Sequence, residues 1–305
     1  MKSLAIGGTL RASEIALGCM RIHQLSVKEA SVLLHTALEH GINFFDHADI
    51  YGQGQSEECF AKALGMNPAV RENLLIQTKC GIRPGLCYDF SKDHILRSVD
   101  GSLKRLKTEY IDVLLLHRPD TLMQPEEVAA AFDILHSSGK VRHFGVSNQN
   151  PLQMELLGRY LNQRLIADQL QFGPCHTGMV DGGIHVNMTD QAAVVRDGGV
   201  LEYCRLKDIT IQPWSPFQHG FFDGIFLGND HFAELNRVVG ELAEKYGVPD
   251  TAVVTAWILR HPARMQPVVG TTNPARLADI CRAAEICLTR EEWYAVYMAA
   301  GNTLP

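Results

Sequence analysis

Apolar residues recur along the chain in two rhythms. The first is a set of short, nearly unbroken runs at Ile15–Gly18, Ile42–Phe45, Asn73–Thr78, Tyr110–Leu116, Arg142–Val146, Leu165–Gln171, Ile209–Pro213 and Gln266–Gly270. Unbroken apolar runs suit strands covered on both faces, as in a parallel sheet, whereas a half-exposed strand alternates. The second rhythm has a helical period and fills the intervals. Ser26 and Glu29 form a capping box ahead of VLLHTALEH, with Gly41 placed to end that helix. Pro125 opens EEVAAAFDILHSSG, Gly139 closes it, and Asp250 is expected to cap TAVVTAWILRH. Thr289 and Glu292 make a further capping box. Eight strand–helix units in strict alternation predict an α/β chain, a (β/α)8 TIM barrel in a single domain over residues 1–305. A doubly wound open sheet has the same rhythm and is the alternative. No linker or composition break divides the chain.

Composition narrows this picture only a little. A net charge of −6, with no basic block or stripe, gives no reason to expect a nucleic-acid partner. No apolar run approaches a membrane span, and MKSLAIGGTLRASEIALG has no sustained apolar stretch, so neither membrane nor secretory signal is expected. The eight cysteines lack CxxC spacing, which suits reduced thiols in a cytoplasmic protein and gives no metal site. One connection is unusually long, Gly173–Gln191, and following the sixth strand it is expected over the barrel mouth.

Barrel sites form at the C-terminal ends of strands. The residues found there are Asp46, Lys79, His117, Ser147 with Asn148, Gln169, Trp214 with Ser215, and Gly270 with Thr271. Each alone has an ordinary reading: a turn cap, a surface charge, a satisfied core histidine or a core aromatic. Together they suggest chemistry. Tyr51 carries a phenol that needs a nearby cation to titrate toward neutrality. Lys79 supplies the cation, Asp46 holds it charged and oriented, and His117 is left to donate a hydrogen bond. A carbonyl between Tyr51 and His117 would be polarised, ready to take a hydride at carbon and a proton at oxygen. No metal is required.

The motifs carrying these residues resemble one known family. GINFFDHADIYG is similar to the first signature of the aldo-keto reductases, and RLKTEYIDVLLLHRPD to the second. QTKCG, GVSNQNPLQMELL, QPWSPF and VVGTTNPARL follow in the family's order, closest to its bacterial YdhF-like branch. The resemblance spans nearly the whole chain. It implies NADPH-dependent reduction of an aldehyde or ketone by the tetrad Asp46, Tyr51, Lys79 and His117, in a protein that is a monomer.

A Rossmann fingerprint is missing, since Gly52-Gln-Gly54-Gln-Ser-Glu57 lacks a third small residue and follows a loop; it reads better as a turn beside Tyr51. The phosphate site is expected after the last strands, in GTTNPARL. There Asn273 caps a helix opened by Pro274, offering free amides to an anion, with Arg276 one turn in. By resemblance, Arg276 binds the 2′-phosphate of NADPH, assisted from Gly270 by Thr271, Thr272 and Asn273. Ser147, Asn148 and Gln169 hold the nicotinamide amide, Trp214 stacks on its ring, and Ser215 and Phe217 begin the pyrophosphate loop. The chain departs from the family pattern at His47, Asp49, Trp214, Thr272 and Ile280. Substrate choice is expected from Gly173–Gln191, Phe217–Asp230 and the C-terminal tail, with Trp214, Phe221, Phe222 and Met20 lining an apolar pocket. Two other functions fit parts of the pattern. A metal-dependent barrel hydrolase would draw on Asp46, His47, Asp49 and His117, but IALGCM lacks the paired histidines. A catalytically silent NADPH-binding regulatory subunit would keep the cofactor residues and not need the tetrad.

Overall fold

The computed structural model describes all 305 residues. Eight parallel strands close into one barrel: β1 (Ala16–Gly18), β2 (Phe44–Asp46), β3 (Leu75–Cys80), β4 (Ile111–Leu116), β5 (Val141–Ser147), β6 (Leu165–Gln171), β7 (Thr210–Trp214) and β8 (Val268–Val269). Each strand neighbours the next in sequence, and β8 returns to β1 through Val268↔Ala16. The ring is therefore a (β/α)8 barrel, and the open-sheet alternative is excluded. The apolar runs located every strand, with ends displaced by at most two residues.

Most helix signals act as read. Ser26 and Glu29 exchange both bonds of a capping box at Val27–Glu39, as do Thr289 and Glu292 at Arg290–Ala299. Asp250 is a correction. It is the first residue of the helix Asp250–Leu259, behind Pro249, and its side chain makes no cap bond. Pro249 carries no N–H and enters in extended geometry, so it occupies the cap position itself.

An N-terminal hairpin, Ser3–Ile6 with Leu10–Ser13, is absent from the run-based reading. It plugs the barrel floor: Leu4, Ile6 and Ala12 pack with Phe44, Val113, Leu115 and Ile166. Gly7 sits at φ +55°, and a Cβ there would lie 2.5 Å from the Ile166 side chain. With the floor sealed, the barrel opens only at the C-terminal ends of its strands.

The layer above the floor is polar. Gln77 donates to Gln212 at 2.9 Å, Gln212 to Gln266 at 2.9 Å, and Gln266 to the Ser13 carbonyl at 2.7 Å. This amide ladder ties β3, β7, the start of β8 and the hairpin together. Its upper rung is Asp46, which accepts from Gln77 at 2.7 Å.

Candidate active site

Asp46 closes β2 and Lys79 lies within β3, one strand over, so both side chains enter the barrel near its mouth. Lys79 is wholly buried. Its Nζ donates to both Asp46 carboxylate oxygens at 2.8 Å, to the His47 carbonyl at 2.8 Å and to the Tyr51 hydroxyl at 3.2 Å. An ammonium so placed is neutralised on one side and directed at the phenol on the other. Burial pushes the Lys79 ammonium down, and Asp46 with Tyr51 more than offsets this, so Lys79 stays charged.

The loop after β2 positions Tyr51. Gly52, Gln53 and Gly54 all take positive φ, at 55°, 56° and 90°, curling the chain tightly behind the ring. A Cβ on Gly52 would lie 2.6 Å from the His23 imidazole, so only glycine fits. The Tyr51 ring meets His117 edge-on at 5.9 Å, and His117 follows β4 directly. The sequence reading expected Lys79 to bring the phenol toward neutrality. Instead burial raises the Tyr51 hydroxyl above its ordinary range, and Lys79 only partly offsets it. Tyr51 is half-buried and faces open space, so water moderates that push. The phenol is thus an acid that keeps its proton at neutral pH. Burial, followed by the charges of Lys79 and Arg118, holds His117 well below the usual imidazole range, so it is neutral. Its Nδ1 is buried without a partner, and we assign its proton to Nε2, which leaves no stranded donor.

Above these side chains opens a cavity of about 1000 Å³, at the upper end for a ligand site. Asp46, Tyr51, His117, Ser147, Asn148, Gln169, Trp214, Ser215, Phe217, Gly270, Thr271, Asn273 and Arg276 all border it. Lys79 lies beneath, and Thr272 does not border it. Gln169 has a duty that its position alone did not suggest: its amide donates to Asp46 at 3.0 Å. Ser147 donates to the Gln169 carbonyl at 2.9 Å, Asn148 to Ser147 at 2.8 Å, and Trp214 to Asn148 at 3.3 Å. Asn148 and Ser215 hold φ at 58° and 51°, left-handed conformations that non-glycine residues adopt at a cost and that cluster at functional sites.

Expectations about the rim divide. Met20, Trp214 and Phe222 line the cavity, and Phe221 stands at its edge against Trp214. The segment Phe217–Asp230 contributes Phe217, Phe222, Ile225 and Leu227. No residue of Gly173–Gln191 or of the C-terminal tail lines it. That long connection folds a helix, Gly178–Ile184, and binds the tail: Tyr297 donates to Asp181 at 2.8 Å, and His185 contacts the Thr303 carbonyl at 3.0 Å. His47, off the tetrad, also differs from a metal-site pattern. His47 is buried edge-on to Phe60 at 4.6 Å with its pKa lowered to about 3, first by burial and then by Lys79. No three His, Cys, Asp or Glu side chains converge as a metal-ligand set.

A model of the aldo/keto reductase family matches residues 14–299. The chain is 34% identical to a 6-dehydroglucose reductase of Novosphingobium aromaticivorans, covering 97% of this chain and 94% of that one. It is 34% identical to oxidoreductase YdhF of Escherichia coli, covering 94% and 93%. Among solved structures, a thermostable aldo-keto reductase, Tm1743, in complex with the inhibitor epalrestat superposes with a TM-score of 0.78 at 26% identity, covering 98% of this chain and all of that one.

Proposed function

The chain belongs to the aldo/keto reductase family and is an oxidoreductase, and from that premise we propose that it reduces aldehydes or ketones to alcohols with NADPH, Tyr51 delivering the proton. One observation carries the reading: a buried ammonium bonded at once to Asp46 and to the Tyr51 hydroxyl, under a cavity bordered by His117. The test is a panel of carbonyl compounds followed by NADPH absorbance, with NADH in parallel. No consumption on any carbonyl would refute it.

The cavity suits a dinucleotide. Asn273 caps the helix Pro274–Cys281, with Pro274 as its first residue. The Arg276 guanidinium borders the cavity there with no carboxylate within 4.0 Å, which leaves it free for a phosphate. When bound, the reduced nicotinamide supplies the hydride. The chain does the rest. The Tyr51 hydroxyl and the His117 Nε2–H both point hydrogen bonds at the carbonyl oxygen, polarising it and fixing the carbon. As negative charge gathers on that oxygen, the Tyr51 proton passes to it. The phenolate left behind is stabilised by Lys79, whose own charge Asp46 maintains, until solvent reprotonates it.

Two outcomes follow. Arg276→Ala should weaken NADPH binding about 10- to 100-fold, the scale of lost charge-assisted bonds, and NADH binding by less than about 3-fold. Fluorescence titration of both nucleotides checks this, and equal weakening would remove Arg276 as the 2′-phosphate reader. The second concerns direction. Because the Tyr51 hydroxyl is raised, reduction, which needs it protonated, should hold steady from pH 6 to 9. Alcohol oxidation, which needs the phenolate, should climb across that interval by up to about tenfold per unit. Parallel pH profiles of the two directions decide it; an oxidation limb that levels off near neutrality would contradict the raised value. The free cysteines suit a reducing cytoplasm, and we take the working unit as a monomer of one domain.

A further inference from the structure

Three arginines border the catalytic cavity: Arg21, Arg118 and Arg276. Arg21 is engaged, donating to the Gly270 carbonyl at 2.6 Å. Arg276 stands after β8, where the phosphate is expected. Arg118 stands next to His117, after β4, four strands round the eight-strand ring from β8. Its guanidinium carbon lies 5.7 Å from the ring centroids of both Trp214 and Phe221. No carboxylate lies within 4.0 Å of it, whereas Arg71 and Arg142 pair with Asp112, and Arg105 with Glu57. The cavity's own acids do not serve it. Asp46 is held by Lys79, and Asp250 and Asp279 belong to the segments after β7 and β8.

A half-buried cation that the protein leaves without an anion is costly unless a ligand brings one. Trp214 and Phe221, themselves 6.2 Å apart, lie together beside the guanidinium, whose N–H edge makes no hydrogen bond to the protein and so is free for a ligand. That edge matches a carboxylate, which accepts two parallel bonds.

We propose that Arg118 is a specificity-determining residue that binds the carboxylate of the substrate, so that the preferred substrates are aldehydes or ketones bearing a carboxylate remote from the carbonyl. The inference rests on the carbonyl-reductase reading above. Tyr51 and His117 hold the carbonyl oxygen, Arg118 holds the acid end, and the aromatic wall of Trp214 and Phe222 covers the carbon skeleton between.

The test uses the full chain with NADPH and two aldehydes of one shape, 4-carboxybenzaldehyde and its methyl ester. The readout is the ratio of their kcat/KM values in wild type, Arg118→Met and Arg118→Lys. Wild type should favour the acid, Arg118→Met should cut the ratio about 30-fold, chiefly through KM for the acid, and Arg118→Lys should retain part of it. A ratio equal in wild type and Arg118→Met overturns the proposal, as does a wild-type preference for the ester. If neither aldehyde is reduced, the carbonyl panel above judges the reductase reading, and calorimetry decides the present one. Benzoate should bind wild type at least about 10-fold more tightly than Arg118→Met, with benzamide showing no such difference; equal benzoate affinities overturn it.

Discussion

Tyr51→Phe is expected to lower kcat by about 100- to 10,000-fold, the range supplied by positioned proton transfer, while NADPH affinity changes by less than about 2-fold. The substitution deletes one oxygen and keeps the ring. The edge-on contact with His117 at 5.9 Å therefore survives, and so does the tight turn through Gly52 and Gly54 that carries the ring. Lys79 keeps its bonds to Asp46 and to the His47 carbonyl, so the buried ion pair stays satisfied and the fold is not perturbed. What disappears is the proton and one of the two hydrogen bonds to the carbonyl oxygen. Single-turnover absorbance at saturating NADPH isolates the chemical step, and titration of the nucleotide checks binding separately. The variant should also lose the steep pH dependence of oxidation, because the titrating group is gone. A kcat within about tenfold of wild type would mean that another acid, or water, delivers the proton.

The barrel was legible because parallel strands covered on both faces must be apolar nearly throughout, and eight such runs leave few other folds. Asp46, Lys79 and His117 were legible as candidates because polar residues stand out where an apolar run stops; Tyr51, in the loop five residues past Asp46, was read from its motif. What sequence left hidden is of another kind. The hairpin at Ser3–Ser13 sits in an alternating stretch around Gly7 and Gly8, and that glycine pair was the turn signal that could have exposed it. Gln77, Gln212 and Gln266 stand inside or beside apolar runs, and each is explained only by the partner that another strand brings. Their presence in otherwise buried strands was itself a signal, since an unpartnered amide does not persist in a core. Gln169 shows the converse. Its location was foreseen, but its bond to Asp46 depends on strands four places apart in the ring. The Gly173–Gln191 loop misled because length alone says that a loop is unusual, not what it covers. Its acid Asp181 and His185 face the C-terminal segment, and the cavity wall falls to the shorter aromatic loop after β7. The net shift of the Tyr51 phenol was also beyond sequence, which supplies the cation but not the depth of burial set against it.

Lys79→Met should be as damaging to catalysis as loss of the phenol and far more damaging to stability. The methionine fills the volume of the lysine stem, so packing alone predicts little change. The charge decides otherwise. Asp46 is buried and would keep only the amide donors of Gln77 and Gln169. Removing one partner of a buried ion pair typically costs about 3–5 kcal/mol, because the survivor is left uncompensated. Chemical denaturation should show a loss of that order, and kcat should fall at least about 100-fold, since no cation remains to stabilise the phenolate. Stability and catalysis can be separated by the second change. Asp46→Asn on the Lys79→Met background removes the orphaned charge while keeping a hydrogen-bonding side chain beside Gln77, and it should recover most of the lost stability without recovering activity. If the double variant regained activity along with stability, Lys79 would be holding the barrel mouth together and nothing more. If it regained stability alone, the ammonium acts on the Tyr51 proton, as its 3.2 Å bond to that hydroxyl implies.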